Sequence, residues 1–138
     1  YIRNLKSNNV YDLRICKKNL SRYISIIRSY IILRQILSPV ELKNIVVLTQ
    51  YHDADEYPTN EQRFARAEEL IKMYSTAKLV ITSRIHCALP CLGLDTPVVF
   101  LKNLDDFEES TCRFEGLLNL MNVISFRKNK VIESPFIL

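Results

Sequence analysis

Three side chains able to do chemistry stand together near the middle of the chain: Ser83, Arg84 and His86. They follow a short apolar, β-branched run, Leu79 to Ile81, and they open a segment, Ile85 to Leu94, with the length of a short helix. A second apolar run covers Pro97 to Leu101. Strand–helix–strand units of this kind build parallel sheets, and ligands bind outside the carboxyl ends of their strands. An arginine and a histidine at a helix start, beside backbone N–H groups with no intrahelical acceptor, suit a phosphate or a carboxylate. Ser83 can donate to an anion oxygen, and a histidine titrating near neutrality can pass a proton. A plainer reading stands beside this one. Arg84 could pair with Asp105 or Asp106 as structural glue, and His86 could be a core histidine satisfied by a backbone carbonyl.

The elements that would position these groups can be read from periodicity. Tyr11 to Leu37 is helical in pattern, with Leu20, Tyr23, Ile24, Ile27 and Ile31 at helical spacing. Ile26, Ile32 and Leu33 make it apolar nearly all round, which predicts heavy burial and places Tyr23 and Tyr30 in the core. Pro39 is expected to end it. Asn44 to Gln50 predicts a buried strand, followed by an acidic loop with His52, Asp53, Asp55 and Glu56. Thr59 and Gln62 have the spacing of a capping box, and the helix behind them runs to about Tyr74. Phe64, Ala67, Leu70, Ile71 and Tyr74 line its inner face in this reading. Pro90 should kink the Ile85 helix or shift its start. Gly93 with Pro97 reads as turn chemistry. An acidic loop over Leu104 to Ser110, a helix over Cys112 to Met121 and a last strand over Val123 to Phe126 complete the pattern. The tail is basic at first and then apolar. Alternating helices and strands predict an α/β fold, a Rossmann-like parallel sheet flanked by helices, as one domain over residues 1–138.

Composition narrows the function. The chain is 48% hydrophobic and 25% charged, which fits a globular protein with a core of its own. A net charge of +4 is compatible with anionic small molecules. The cations are spread along the chain apart from Arg14, Lys17, Lys18 and Arg22, so no nucleic-acid partner is expected. The apolar run Tyr23 to Leu37 is interrupted by Arg28 and Arg34 and is too short to span a bilayer. No signal peptide opens the chain, so a cytoplasmic location is expected. Cys87 and Cys91 sit in apolar surroundings as core thiols do. With His86 they lack the paired spacings of a zinc site, and neither a metal nor a cofactor is expected. The chain opens on Tyr1-Ile2-Arg3, which reads as the end of a strand; it is expected to be a fragment lacking an N-terminal domain.

Over about Asn44 to Met121 the sequence resembles the polysaccharide pyruvyl transferase family. The resemblance rests on Arg84-Ile85-His86 after the strand Leu79–Thr82, then Gly93, Pro97 and the strand Val98–Leu101. It implies a fold similar to the C-terminal domain of GT-B-type transferases. It also implies transfer of pyruvate from phosphoenolpyruvate to a sugar hydroxyl, in cell-surface polysaccharide biosynthesis. Arg84 and His86 would then be catalytic, Arg84 and Ser83 would bind the anionic donor, and a saccharide would be the acceptor. The family has a further arginine at the end of an earlier strand, about where Arg3 falls. Arg113, bordering the donor pocket in GT-B-like folds, would be an accessory contact. Two departures stand out: Ser83 where an acidic residue is common, and Cys87 where glycine is common. Two other functions remain open. One is a GT-B glycosyltransferase half that uses a nucleotide-sugar. The other is a non-catalytic binding domain, whose exposed apolar surface would favour a homo-oligomer.

Overall fold

The computed structural model describes residues 9–12, 20–48, 56–105 and 114–135. Its elements, in chain order, are β1 (Asn9–Asp12), α1 (Leu20–Leu33), α2 (Pro39–Lys43), β2 (Ile45–Leu48), α3 (Asn60–Ser75) and β3 (Leu79–Thr82). They continue with α4 (Ile85–Gly93), β4 (Val98–Asn103), α5 (Glu115–Leu118), β5 (Asn122–Arg127) and β6 (Lys130–Glu133). The strands form one sheet in the order β2-β1-β3-β4-β5-β6. The first five strands are mutually parallel and β6 returns antiparallel to β5. The architecture is the expected α/β, Rossmann-like one.

Side chains alternate across a strand, so a sheet covered on both faces has two cores. Val80, Val98 and Phe100 face one way, with Leu70 and Tyr74 of α3 and Cys87, Ala88 and Cys91 of α4. Ile81, Val99, Leu101 and Ile124 face the other way, with Ile32 and Leu33 of α1. Both thiols of α4 are fully buried, in keeping with their reading as core groups. Gln35 ties the α1 side to the β5–β6 hairpin: its Nε2 donates to the Asn129 carbonyl at 2.8 Å, and its Oε1 accepts from the Val131 amide at 3.0 Å.

Several expectations are corrected. Tyr11 and Asp12 belong to β1 and not to the long helix, because β1 is inserted between β2 and β3 and its backbone is satisfied by both. That strand is the middle of the sheet's first half and has only four residues, too few to show a period. Helix α1 is buried on one side alone: Ile27 and Tyr30 are 59% and 53% exposed. Pro39 does not end a helix but opens one. Ser38 caps α2 and exchanges hydrogen bonds with Glu41, with the proline at a position where no amide proton is needed. β2 is an edge strand, which leaves Val47 exposed. On α3, Leu70 and Tyr74 are buried while Phe64 and Ile71 are exposed. α5 is a single turn. The tail forms β6 through a tight turn at Lys128 and Asn129, both at positive φ, as two-residue hairpins require. The turn after α4 uses Asp95 at φ 53°, not Gly93, as its left-handed residue. The amides of Asp95 and Thr96 return to the carbonyls of Leu92 and Cys91, which closes the helix end.

The central and edge strands should respond differently to truncation. Ile81→Ala, at a wholly buried site in β3, is expected to cost about 2–5 kcal/mol. Val47→Ala, on the exposed edge, is expected to stay within about 0.5 kcal/mol. Urea denaturation of the two variants measures both, and equal losses would contradict the assigned strand order.

Candidate functional site

The chain runs from β1 to β2 on one side, then returns past β1 to place β3 on the other. The sheet therefore has its topological switch point between β1 and β3, the place where open α/β sheets bind ligands beyond the carboxyl ends of their strands. The register sets Asp12, the last residue of β1, beside Thr82, the last of β3. Sequence reading passed over Asp12, since it lay inside a segment with a helical pattern.

Beyond Thr82 the chain turns sharply. The Thr82 hydroxyl, fully buried, accepts the Arg84 amide proton at 3.0 Å. Arg84 is the N-cap residue of α4, in extended conformation, and its carbonyl accepts from the amides of Cys87 and Ala88 at 3.1 Å. This places Ser83 and Arg84, both half-buried, at the carboxyl edge of the sheet, where the sequence put them. The Arg84 Nε is closed off from solvent. Asp105 is engaged elsewhere: it accepts from the Lys128 amide at 2.7 Å and lies 3.9 Å from the Arg127 guanidinium. The alternative partner Asp106 lies outside the described residues, as do Arg3, Arg113, His52, Asp53 and Asp55.

His86 is exposed, which rules out the core-histidine reading. It stands on the first turn of α4 and lines a groove of about 350 Å³ between α3 and α4. Tyr57, Arg63 and Arg66 complete the polar side of this groove, while Leu70 and Pro90 lie on its apolar side. Arg84 does not line it. The structure thus sets the arginine of the motif at the strand end and turns the histidine toward α3. Helix N-termini attract anions in general, but α3 closes its own. Thr59 takes the Gln62 amide, and Gln62 reaches back to the Thr59 amide. Its own backbone amide and the Thr59 hydroxyl hold the Glu61 carboxyl below the usual carboxylate range.

Tyr57, Arg63 and Arg66 escaped the sequence reading, although a signal existed. Arg63, Arg66, Leu70 and Tyr74 fall on one helical stripe. That stripe is apolar toward the end of α3 and basic toward its start, at the carboxyl edge of the sheet. Among the described residues, no group of three His, Cys, Asp or Glu side chains is placed to hold a metal ion. No helix among them is long and apolar enough to cross a membrane.

The model of one protein family, described as polysaccharide pyruvyl transferase, matches residues 2–106 of this chain. No curated protein and no solved structure gives a significant match. The match begins well before Asn44, where the resemblance in the sequence becomes readable, and it includes the Thr82–His86 turn.

The Thr82 hydroxyl should matter to this turn more than its size suggests. Thr82→Val keeps the shape and leaves the Arg84 amide without that acceptor. It is expected to destabilise the protein by about 1–3 kcal/mol, with Thr82→Ser recovering most of the loss. Chemical denaturation of the pair is the check.

Proposed function

This chain belongs to the polysaccharide pyruvyl transferase family, and on that premise we propose that it acts in transferring pyruvate from phosphoenolpyruvate to a sugar hydroxyl of a cell-surface polysaccharide. The observation that carries this reading is the position of Arg84, the N-cap of α4 at the carboxyl edge of the sheet, within the matched segment. A guanidinium offers a planar fork of donors that suits a carboxylate or a phosphate. In this reading Arg84 binds the donor, Ser83 adds a hydroxyl donor, and the first amides of α4 face the same anion. Arg3 and Arg113 are proposed as further contacts to the donor. A second domain facing this edge, as in GT-B-type transferases, is part of the same proposal.

The chemistry balances without a cofactor. One sugar hydroxyl adds to the central carbon of phosphoenolpyruvate while the methylene carbon gains a proton. A second hydroxyl of the sugar then displaces phosphate, closing a cyclic ketal. The hydroxyl protons replace the one delivered to carbon and the one carried off by the phosphate. His86 is exposed two residues after Arg84, on the first turn of α4, and in this reading delivers a proton or holds the leaving phosphate.

Calorimetric titration with phosphoenolpyruvate is expected to show binding to the unaltered chain and none to Arg84→Ala. Arg84→Lys should restore little, because an ammonium cannot reproduce the bidentate fork. Binding of UDP, GDP or CMP in place of phosphoenolpyruvate would instead assign the strand end to a nucleotide-sugar.

A further inference from the structure

The α3–α4 groove is a separate feature from the strand end that carries Arg84, and its chemistry is different. Two arginines one turn apart on α3 face a histidine on α4, and a tyrosine from the preceding loop stands at the mouth. Neither arginine offers its whole fork. The Arg63 Nε donates to the Tyr57 carbonyl at 2.9 Å, which fixes that side chain against the loop. The Arg66 Nη1 pairs with the Glu69 carboxylate, which is 59% exposed, while Arg66 itself is only 19% exposed. The Arg66 Nε is buried and has no acceptor among the described residues. That atom is closed to the groove, so Arg66 can meet a ligand there only through its terminal nitrogens. The groove therefore carries a modest positive charge, partly cancelled by Glu69, beside an apolar wall of Leu70 and Pro90. Its volume of about 350 Å³ lies in the range of small-molecule sites.

These properties select the ligand. A small, highly charged anion would leave the apolar wall unused and would find too little positive charge. A neutral sugar could accept hydrogen bonds from the arginines but would leave their charge uncompensated. An anion with one charged group on a ring-sized body uses both halves of the groove. We propose that the α3–α4 groove is a subsite for an anionic sugar of the acceptor, whose carboxylate or phosphate is held by Arg63 and Arg66 while its ring lies against Leu70 and Pro90. This assignment rests on the pyruvyl-transfer reading for the word acceptor. His86 lines the same groove, so a sugar seated there presents its hydroxyls to the residue proposed to move the proton. The acceptor is thus recognised through an acidic group near, but not at, the hydroxyls that react.

The test is amide chemical-shift mapping of the isotope-labelled chain with glucuronate, glucose-6-phosphate, glucose and phosphoenolpyruvate. Glucuronate or glucose-6-phosphate is expected to shift amides from Tyr57 to Leu70 and from His86 to Pro90, and glucose is expected to shift none. The tighter of the two anions identifies the acidic group. The double substitution R63Q/R66Q should weaken that binding about tenfold or more, while R84Q should leave it intact and abolish phosphoenolpyruvate binding. Circular dichroism checks that the variants fold, and the map on the unaltered chain does not depend on them. Failure of both anionic sugars to bind, shifts located elsewhere, or unchanged affinity in R63Q/R66Q would each overturn the subsite. Anionic sugars bound at the groove with no phosphoenolpyruvate binding would uphold the subsite and sink the donor reading instead.

Discussion

The fully buried Thr82 hydroxyl accepts the Arg84 amide proton at 3.0 Å. That bond sits where β3 stops and α4 starts, and the geometry of the carboxyl edge follows from it. β3 is gripped by β1 on one side and β4 on the other, so its end cannot shift without disturbing both neighbours. A strand end held in this way presents the next residues at a fixed height above the sheet. Ser83 and Arg84 inherit their position from it, and the Arg84 carbonyl then launches α4. An arginine on a flexible loop would lose more entropy on binding an anion than one pre-placed by a rigid turn.

Core packing helps set the distance between α3 and α4. Leu70 and Tyr74 of α3 share a core with Cys87, Ala88 and Cys91 of α4, and small side chains on α4 let the helices approach closely. The buried Thr96 hydroxyl donates to the Tyr74 carbonyl at 3.1 Å, tying the end of α3 to the loop that leaves α4. The helices are thus joined at their far ends, near the amino edge of the sheet. At the near ends the larger side chains Arg63, Arg66 and His86 replace the small core residues, and the groove opens there.

On the proposed reading there are two recognition surfaces, and His86 serves both. In that reading the strand end offers Arg84 and the first amides of α4 to the donor. The groove offers two partly engaged arginines and an apolar wall. If the proposed roles hold, dividing the motif's arginine and histidine between the two surfaces suits a transfer reaction, in which donor and acceptor must meet. The departure at Cys87 fits this division too. Its thiol faces away from the edge, fully buried in the α3–α4 core, so a side chain after the histidine is accommodated by packing.

Local sequence was sufficient wherever an element was long or its neighbours were distinctive. The apolar runs of β3 and β4, the capping box of α3, the start of α4 and the Arg84-Ile85-His86 motif could all be read directly, since each signal is confined to a few adjacent residues. Tertiary structure alone decided the rest. β1 is four residues of mixed character that become a central strand only because two other strands pair with it. The exposure of Ile27, Tyr30 and Phe64 depends on which helix faces find a neighbour, and helical spacing cannot say how many do. The same holds for the groove. Tyr57, Arg63, Arg66 and His86 come from two helices and a loop, and they meet because the β2-β1-β3 order brings α3 and α4 to the same face of the sheet. Sequence fixes a residue's helix and its side of that helix; which side faces which partner is settled by long-range pairing of strands.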